Sequence, residues 1–259
     1  MDYPRRFESK ITLVTGSGRG IGKTIALRFA SEGADLVLNY FRNREPAEET
    51  ADEIRALGRR VQVVRADVGN PEDIERLVDT AAETFGGLDI LVHNAASGYN
   101  RPVMEQRAKG WDWTLNINAR AALFLAQHAA PLMQARGGGA IVNISSIGAQ
   151  RVLPDYVVVG ASKAALEAVT RYLAVELAPM RIVVNAVSAG MVRTDALRHF
   201  PGMRDHFEER FAYALERTPA GQVLTPEDVA GVVAFLCSPE AFMIRGQTIL
   251  IDGGAALGF

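Results

Sequence analysis

The chain has 259 residues, 48% of them apolar and 22% charged, with a net charge of −2 at pH 7. That size and balance suit one α/β domain whose core needs no covalent staples. The near-neutral charge argues against a general binder of nucleic acid or anionic membrane. A single cysteine, Cys237, excludes an internal disulfide and fits a reducing cytosol. Set in VVAFLCSP, it reads as a buried helix end and not as a reactive thiol. No apolar run approaches the ~18 residues needed to cross a bilayer. The opening MDYPRRFESK has no hydrophobic signal core. A cytoplasmic protein without membrane insertion is the expectation.

In chain order, residues 1–9 read as a polar lead-in. Ile11–Thr15 is a short apolar strand ending at glycines, and Gly20–Gly33 follows with helical spacing of Ile21, Ile25, Leu27, Phe29 and Ala30. Leu36–Asn39 is the second strand, Pro46–Leu57 a charged amphipathic helix, and Val61–Arg65 the third strand. Pro71–Phe85 is a helix opened by Asn70-Pro71 and closed by Gly86-Gly87. Ile90–His93 is the fourth strand, Trp111–Ala135 one long helix, and Ala140–Ile144 the fifth strand. A second long helix covers Tyr156–Ala178, and Ile182–Ala186 is the sixth strand. Residues 191–220 are irregular or helical. Pro226–Leu236 is a helix with Thr225 as N-cap, and Thr248–Ile251 is the last strand. Short strands alternating with helices, unbroken by a linker, predict a single-domain, doubly wound parallel sheet of the Rossmann type over residues 1–259. Ligands of such sheets sit at the carboxyl ends of the strands.

Three stretches carry chemistry. Thr15-Gly16-Ser17-Gly18-Arg19-Gly20-Ile21-Gly22 joins the first strand to the first helix. Glycines let a backbone approach a pyrophosphate, and the helix N-terminus behind them attracts its charge. After the second strand, LVLNYFRNR lacks the acid that would hold a ribose 2′-hydroxyl, and it offers Arg42 and Arg44, with Arg19 in the glycine loop. A 2′-phosphate needs cations there, which favours NADPH over NADH. Finally, Tyr156 and Lys163 are seven positions apart in a helix-forming run. On a helix they share a face, about 10 Å of rise apart. A nearby cation favours phenolate and makes the hydroxyl a better proton donor.

The glycine spacing G-x-x-x-G-x-G resembles that of the short-chain dehydrogenases/reductases, and the resemblance extends over about residues 10–254. It covers Asp67-Val68, His93-Asn94-Ala95-Ala96 (against an NNAG pattern), Asn118, Ser145-Ser146 and Ser188-Ala189-Gly190 with Val192-Arg193-Thr194. The commonest family signature, Y-x-x-x-K, is altered: Val159 stands four residues before Lys163, with Ser146 thirteen residues before it, and the tyrosine is displaced to Tyr156. The resulting Y-x6-K resembles that of enoyl-thioester reductases within the superfamily. Further stretches, among them Trp111-Asp112-Trp113-Thr114, Thr194-Asp195-Ala196-Leu197 with His199-Phe200-Pro201, and Met243-Ile244-Arg245-Gly246-Gln247, closely resemble enoyl-acyl-carrier-protein reductases of type III.

That resemblance implies an NADPH-dependent enoyl-acyl-carrier-protein reductase of fatty-acid elongation. It implies Tyr156 on the thioester oxygen, Lys163 on the nicotinamide ribose, Asn118 ordering a proton-relay water and Ser146 lining the pocket. Gly16, Ser17, Arg19, Gly20, Ile21, Arg42, Asp67, Val68, Asn94, Val192 and Thr194 are the implied cofactor contacts, and no metal is implied. Residues 191–220 resemble a substrate-binding lid. There Met191, Leu197, Phe200, Met203, Phe207 and Phe211 could wall an acyl chain, and Arg193, Arg198, Arg204, Arg210 and Arg217 could meet an acidic carrier protein. Trp111 and Trp113 read as packing or subunit contacts. Family members are commonly tetramers, so a homotetramer is expected. A carbonyl or alcohol oxidoreductase such as a 3-oxoacyl thioester reductase, a non-catalytic NADP-binding sensor and a structural subunit of a hetero-oligomer remain as alternatives.

Overall fold

The computed structural model describes residues 5–194 and 207–257. Among the described residues, one sheet holds β1 (Ile11–Val14), β2 (Asp35–Tyr40), β3 (Val61–Arg65), β4 (Ile90–His93), β5 (Gly139–Ser146), β6 (Ile182–Ala189) and β7 (Thr248–Ile251), in the order β3-β2-β1-β4-β5-β6-β7. Every neighbouring pair is parallel. The order reverses between β1 and β4, where the connections leave the sheet in opposite directions and open a crevice at the carboxyl ends.

The helices are α1 (Gly20–Ser31), α2 (Glu45–Ala56), α3 (Pro71–Phe85), α4 (Ala108–Leu115), α5 (Ala121–Ala135), α6 (Val157–Glu176), α7 (Phe207–Glu216) and α8 (Pro226–Leu236). Successive strand side chains point to opposite faces, so continuous apolar runs feed two cores. Val14, Leu36, Leu38 and Val92 meet Ile25 and Phe29 of α1, Ile54 of α2 and Val233 of α8. Leu13, Val37 and Leu91 meet Leu77 of α3, Leu125 of α5 and Leu173 of α6 on the other side. Each fully buried Leu or Phe contributes about 1.5–3 kcal/mol.

Local signals explain the helix boundaries. Asn70 caps α3 by accepting from the N–H groups of Glu72 and Asp73, and Gly86 ends it in the left-handed region at φ 87°. Thr225 and Asp228 form a reciprocal capping box on α8.

One expectation is corrected. The helix read over Trp111–Ala135 is interrupted: α4 passes through one turn of π-helix, Asn116–Arg120, before α5 begins. The described part of the lead-in packs onto the domain. Phe7 is 2% exposed and packs tilted against the Phe29 ring at 4.8 Å, while Arg6 binds both carboxylate oxygens of the fully buried Glu32 at 2.6 and 2.8 Å. No helix among the described residues is long and apolar enough to cross a membrane.

Candidate active site

The loop from β1 to α1 lies at the β1/β4 crevice. Gly16 and Gly20 have φ of 64° and 55°, values that favour glycine. A Cβ on Gly22 would fall 2.3 Å from the Gly16 carbonyl oxygen and 2.4 Å from Asn94 Nδ2, so α1 starts hard against the loop. Asn94 ties the loop to β4 by donating to the carbonyls of Thr15 and Gly16, both at 3.0 Å. Ser17 is fully buried, its hydroxyl accepting from Asn39 N–H at 3.0 Å, so its side chain fixes the loop to β2. The first turn of α1 contains no acidic residue. Positive-φ glycines, a glycine cradle and an uncompensated helix N-terminus fit the pyrophosphate of a dinucleotide. Thr194, though far along the chain, lies beside this loop, its Cγ2 3.6 Å from where a Gly20 Cβ would stand.

At the end of β2 the position that could have held an acid is Asn39. Its amide is used within the fold, accepting from Gly16 N–H and donating to the Ala66 carbonyl at 3.0 Å. Arg42 is exposed and stands 5.9 Å from the Phe41 ring. Arg44 differs: it pairs with Glu48 at 2.9 Å, one turn into α2. Of the two arginines read together in the sequence, Arg42 is thus the one that no described carboxylate engages. Arg19 is exposed at the N-cap of α1 in extended conformation. Asp67 follows β3, its carboxylate accepting from Gly69 N–H at 2.8 Å, with Val68 buried beside it. Ile21 is half-buried in the first turn of α1, and Val192 is buried and bridged to Leu224.

Across the crevice, Tyr156 is the N-cap of α6 and not its first turn. Its ring occupies the space left by Gly148, where a Cβ would come within 2.5 Å of it, and its hydroxyl reaches Ser146 Oγ at 3.4 Å. Val159 is 5% exposed and packs onto Gly98 so closely that a Cβ there would meet its Cγ2 at 2.3 Å. Lys163 is buried and donates to the Ile144 carbonyl at 2.7 Å. Burial pushes its pKa down to about 8, against the opposing charge of Glu167. The expectation that Lys163 would make Tyr156 more acidic is corrected. Burial raises the phenol above its ordinary pKa, the Ser146 hydrogen bond opposes that, and Lys163 is not among the causes. Tyr156 is accordingly a neutral hydrogen-bond donor at neutral pH.

Asn118 sits in the π-turn, fully buried. Its amide donates to the Ser97 carbonyl and to Ser162 Oγ, both at 2.9 Å, and accepts from Ser97 N–H at 2.8 Å. Trp113 adds a hydrogen bond to Ser97 Oγ at 2.8 Å, so this exposed indole helps hold the site. Glu167, one turn beyond Lys163, was missed as a site residue; it is 6% exposed and accepts from Ser145 Oγ at 2.7 Å. Its signal was the i, i+4 spacing of opposite charges on one helix. Burial pushes the Cys237 thiol pKa up, which keeps it an inert thiol.

Beyond the crevice, Phe207 and Phe211 of α7 are buried against each other at 4.7 Å, while Met191 is 36% exposed. Arg193 binds both oxygens of Glu208, at 2.7 and 2.8 Å, and Arg217 stacks on Tyr213; Arg210 is exposed. Leu197, Phe200, Met203, Arg198 and Arg204 lie outside the described residues, as does the run Asp195–Pro201.

A doubly wound parallel sheet, a glycine phosphate loop at its switch point and a tyrosine–lysine pair across the crevice define a dinucleotide-dependent oxidoreductase. A family model described as "Enoyl-(Acyl carrier protein) reductase" matches residues 16–256. The hydroxynaphthalene reductase-like protein Arp2 of Metarhizium anisopliae is 40% identical over 264 residues, spanning 98% of this chain and 97% of that protein. The 1-cyclohexenylcarbonyl-CoA reductase of Streptomyces collinus is 37% identical over 248 residues, spanning 96% and 87%. The crystal structure of a short chain dehydrogenase from Burkholderia cenocepacia J2315 in complex with NADP superposes with a TM-score of 0.88 at 39% identity, over 97% of this chain and 99% of that one. The chain belongs to this enoyl-(acyl carrier protein) reductase family of short-chain dehydrogenases/reductases.

Proposed function

We propose that the protein is an NADPH-dependent reductase of the C2=C3 double bond of trans-2-enoyl thioesters carried by acyl carrier protein, acting in fatty-acid elongation as a cytoplasmic homotetramer. One observation carries this reading. Val159 closes off the position four residues before Lys163 by packing on Gly98, and the phenol enters from Tyr156, at the head of α6, instead. In carbonyl reduction, hydride and proton arrive at adjacent atoms. In enoyl reduction, hydride arrives at C3 and charge appears on the thioester oxygen two carbons away. A donor displaced along the helix suits the second case. The relative named 1-cyclohexenylcarbonyl-CoA reductase, whose name describes a thioester with a conjugated double bond, supports it.

The Gly16–Ile21 loop and α1 N-terminus would hold the cofactor pyrophosphate, Arg42 the 2′-phosphate, and Lys163 the nicotinamide ribose. Bound NADPH would supply the hydride that C3 receives. Tyr156 donates its hydrogen bond to the thioester oxygen and stabilises the enolate. Its raised pKa keeps the proton on the phenol until that charge develops. The Lys163 ammonium, kept on the Ile144 carbonyl, adds positive charge from the floor of the site.

Cofactor oxidation with crotonyl and acetoacetyl thioesters tests the proposal. Turnover of the crotonyl compound is expected, and turnover of the acetoacetyl compound alone refutes it. Tyr156→Phe should lower kcat about 10²–10³-fold, as loss of an oxyanion donor does, while NADPH affinity holds; an unchanged rate removes Tyr156 from the mechanism. A second reading, reduction of a carbonyl, draws on Ser146 Oγ standing 3.4 Å from the Tyr156 hydroxyl, a pair able to grip one ketone oxygen together. Activity on the acetoacetyl thioester or an aromatic ketone would favour it.

A further inference from the structure

His93 ends β4 beneath the crevice and is 1% exposed. Its Nδ1 lies 3.3 Å from Thr15 Oγ1. That hydroxyl already accepts two backbone N–H bonds, from Asn94 at 3.0 Å and Ala95 at 2.9 Å. A hydroxyl offers two lone pairs and one proton. With both lone pairs filled, the Thr15 proton has to be given away, and the atom within reach is His93 Nδ1. Nδ1 therefore accepts. Burial, reinforced by the Lys163 charge, pushes the imidazole pKa down to about 3, so the ring is neutral and carries its proton on Nε2.

This Nε2–H is buried, and among the described residues it makes no well-aligned hydrogen bond. A buried donor left bare is costly enough that it closes on whatever acceptor it faces. The acceptors that act on this ring are the backbone carbonyls of Asn118 and Ile117. Both belong to the π-turn that interrupts the helix between α4 and α5, a departure from α-helical bonding found often at functional sites. On its other side the same turn is held through the Asn118 amide to Ser97 and to Ser162, the residue before Lys163.

We propose that His93 is a positioning residue whose Nε2–H holds the π-turn carbonyls of Ile117 and Asn118, so that one imidazole links the phosphate-loop residue Thr15 to the Asn118–Ser162–Lys163 side of the site. The fixed tautomer is the core of it. Thr15, Asn94 and Ala95 set the ring from below, and the ring sets the π-turn above. The inference does not depend on which bond of the substrate is reduced.

Nitrogen NMR of the full-length protein labelled with 15N-histidine, with and without NADPH, tests the tautomer directly. The His93 signals, assigned by their loss in His93→Gln, should show a protonated Nε2 and a bare Nδ1 at neutral pH. A protonated Nδ1, or a cationic ring, overturns the proposal without any appeal to kinetics. Kinetics test the consequence. His93→Leu removes both nitrogens at similar volume and should lower kcat about 10- to 100-fold, the scale of a misplaced catalytic group. The KM for NADPH should change far less. His93→Gln restores a donor near the Nε2 position and should recover kcat to within about threefold of the parent. Equal losses in the Leu and Gln variants, or a loss confined to KM, overturn the positioning role.

Discussion

Gly22→Ala tests the cofactor loop most sharply. The added Cβ would stand 2.3 Å from the Gly16 carbonyl oxygen and 2.4 Å from Asn94 Nδ2. A carbon and a carbonyl oxygen rest at about 3.3 Å or more, so the loop has to retreat by about 1 Å. Asn94 cannot simply swing aside, because its amide bonds the Thr15 and Gly16 carbonyls. Overpacking of this kind costs about 1–3 kcal/mol. If the strain falls on the loop conformation that receives the pyrophosphate, NADPH binding weakens about 5- to 150-fold at 1.4 kcal/mol per decade. Gly231→Ala, in α8, is the control, since its Cβ would meet nothing nearer than Arg28 Nη1 at 3.9 Å. Alanine there should be neutral or stabilise by up to about 1 kcal/mol. Fluorescence titration with NADPH and thermal unfolding of both variants supply the numbers. An unchanged NADPH affinity and unfolding temperature in Gly22→Ala would refute the cradle.

Two other outcomes are expected. Arg42→Ala should weaken NADPH about five- to tenfold while leaving NADH nearly unchanged, the scale of an exposed charge-assisted contact; equal losses for both cofactors would undo the 2′-phosphate role. Lys163, with its pKa pushed down to about 8, is charged below that value and loses its charge as pH rises through it, so kcat/KM should fall on the alkaline side near pH 8. A profile flat well above pH 8 would refute it. The sign for stability is opposite: the unfolded lysine keeps its proton to about 10.4, so the unfolded chain binds more protons between the two values and this group's contribution rises with pH there.

The fold was legible because its signals are local. Parallel strands buried on both faces are written as unbroken apolar runs, and Asn70, Gly86 and Thr225 mark helix ends by their own hydrogen bonds and dihedrals. The π-turn was not legible, since Ile117, Ala119 and Ala121 continue the apolar pattern of the helices they separate. The Tyr156–Lys163 pair could be read from spacing. That Tyr156 stands ahead of α6, against the space left by Gly148, could not, because it depends on backbone angles. His93 was visible as an unusual residue at the end of β4, yet its tautomer follows from Thr15, 78 positions away. The inward turn of Ser17 and the pairing of Arg44 with Glu48 likewise belong to packing and not to order along the chain.

Asp155, immediately before Tyr156, has φ 59°, a left-handed conformation uncommon for a residue with a side chain. Its carbonyl accepts from Arg101 N–H at 2.9 Å, in the segment that follows β4. The rim of the crevice and the phenol are therefore articulated at a single joint. Remodelling residues 101–106 will also re-aim the Tyr156 hydroxyl, so, on the proposed function, changes in selectivity and in turnover should arrive coupled.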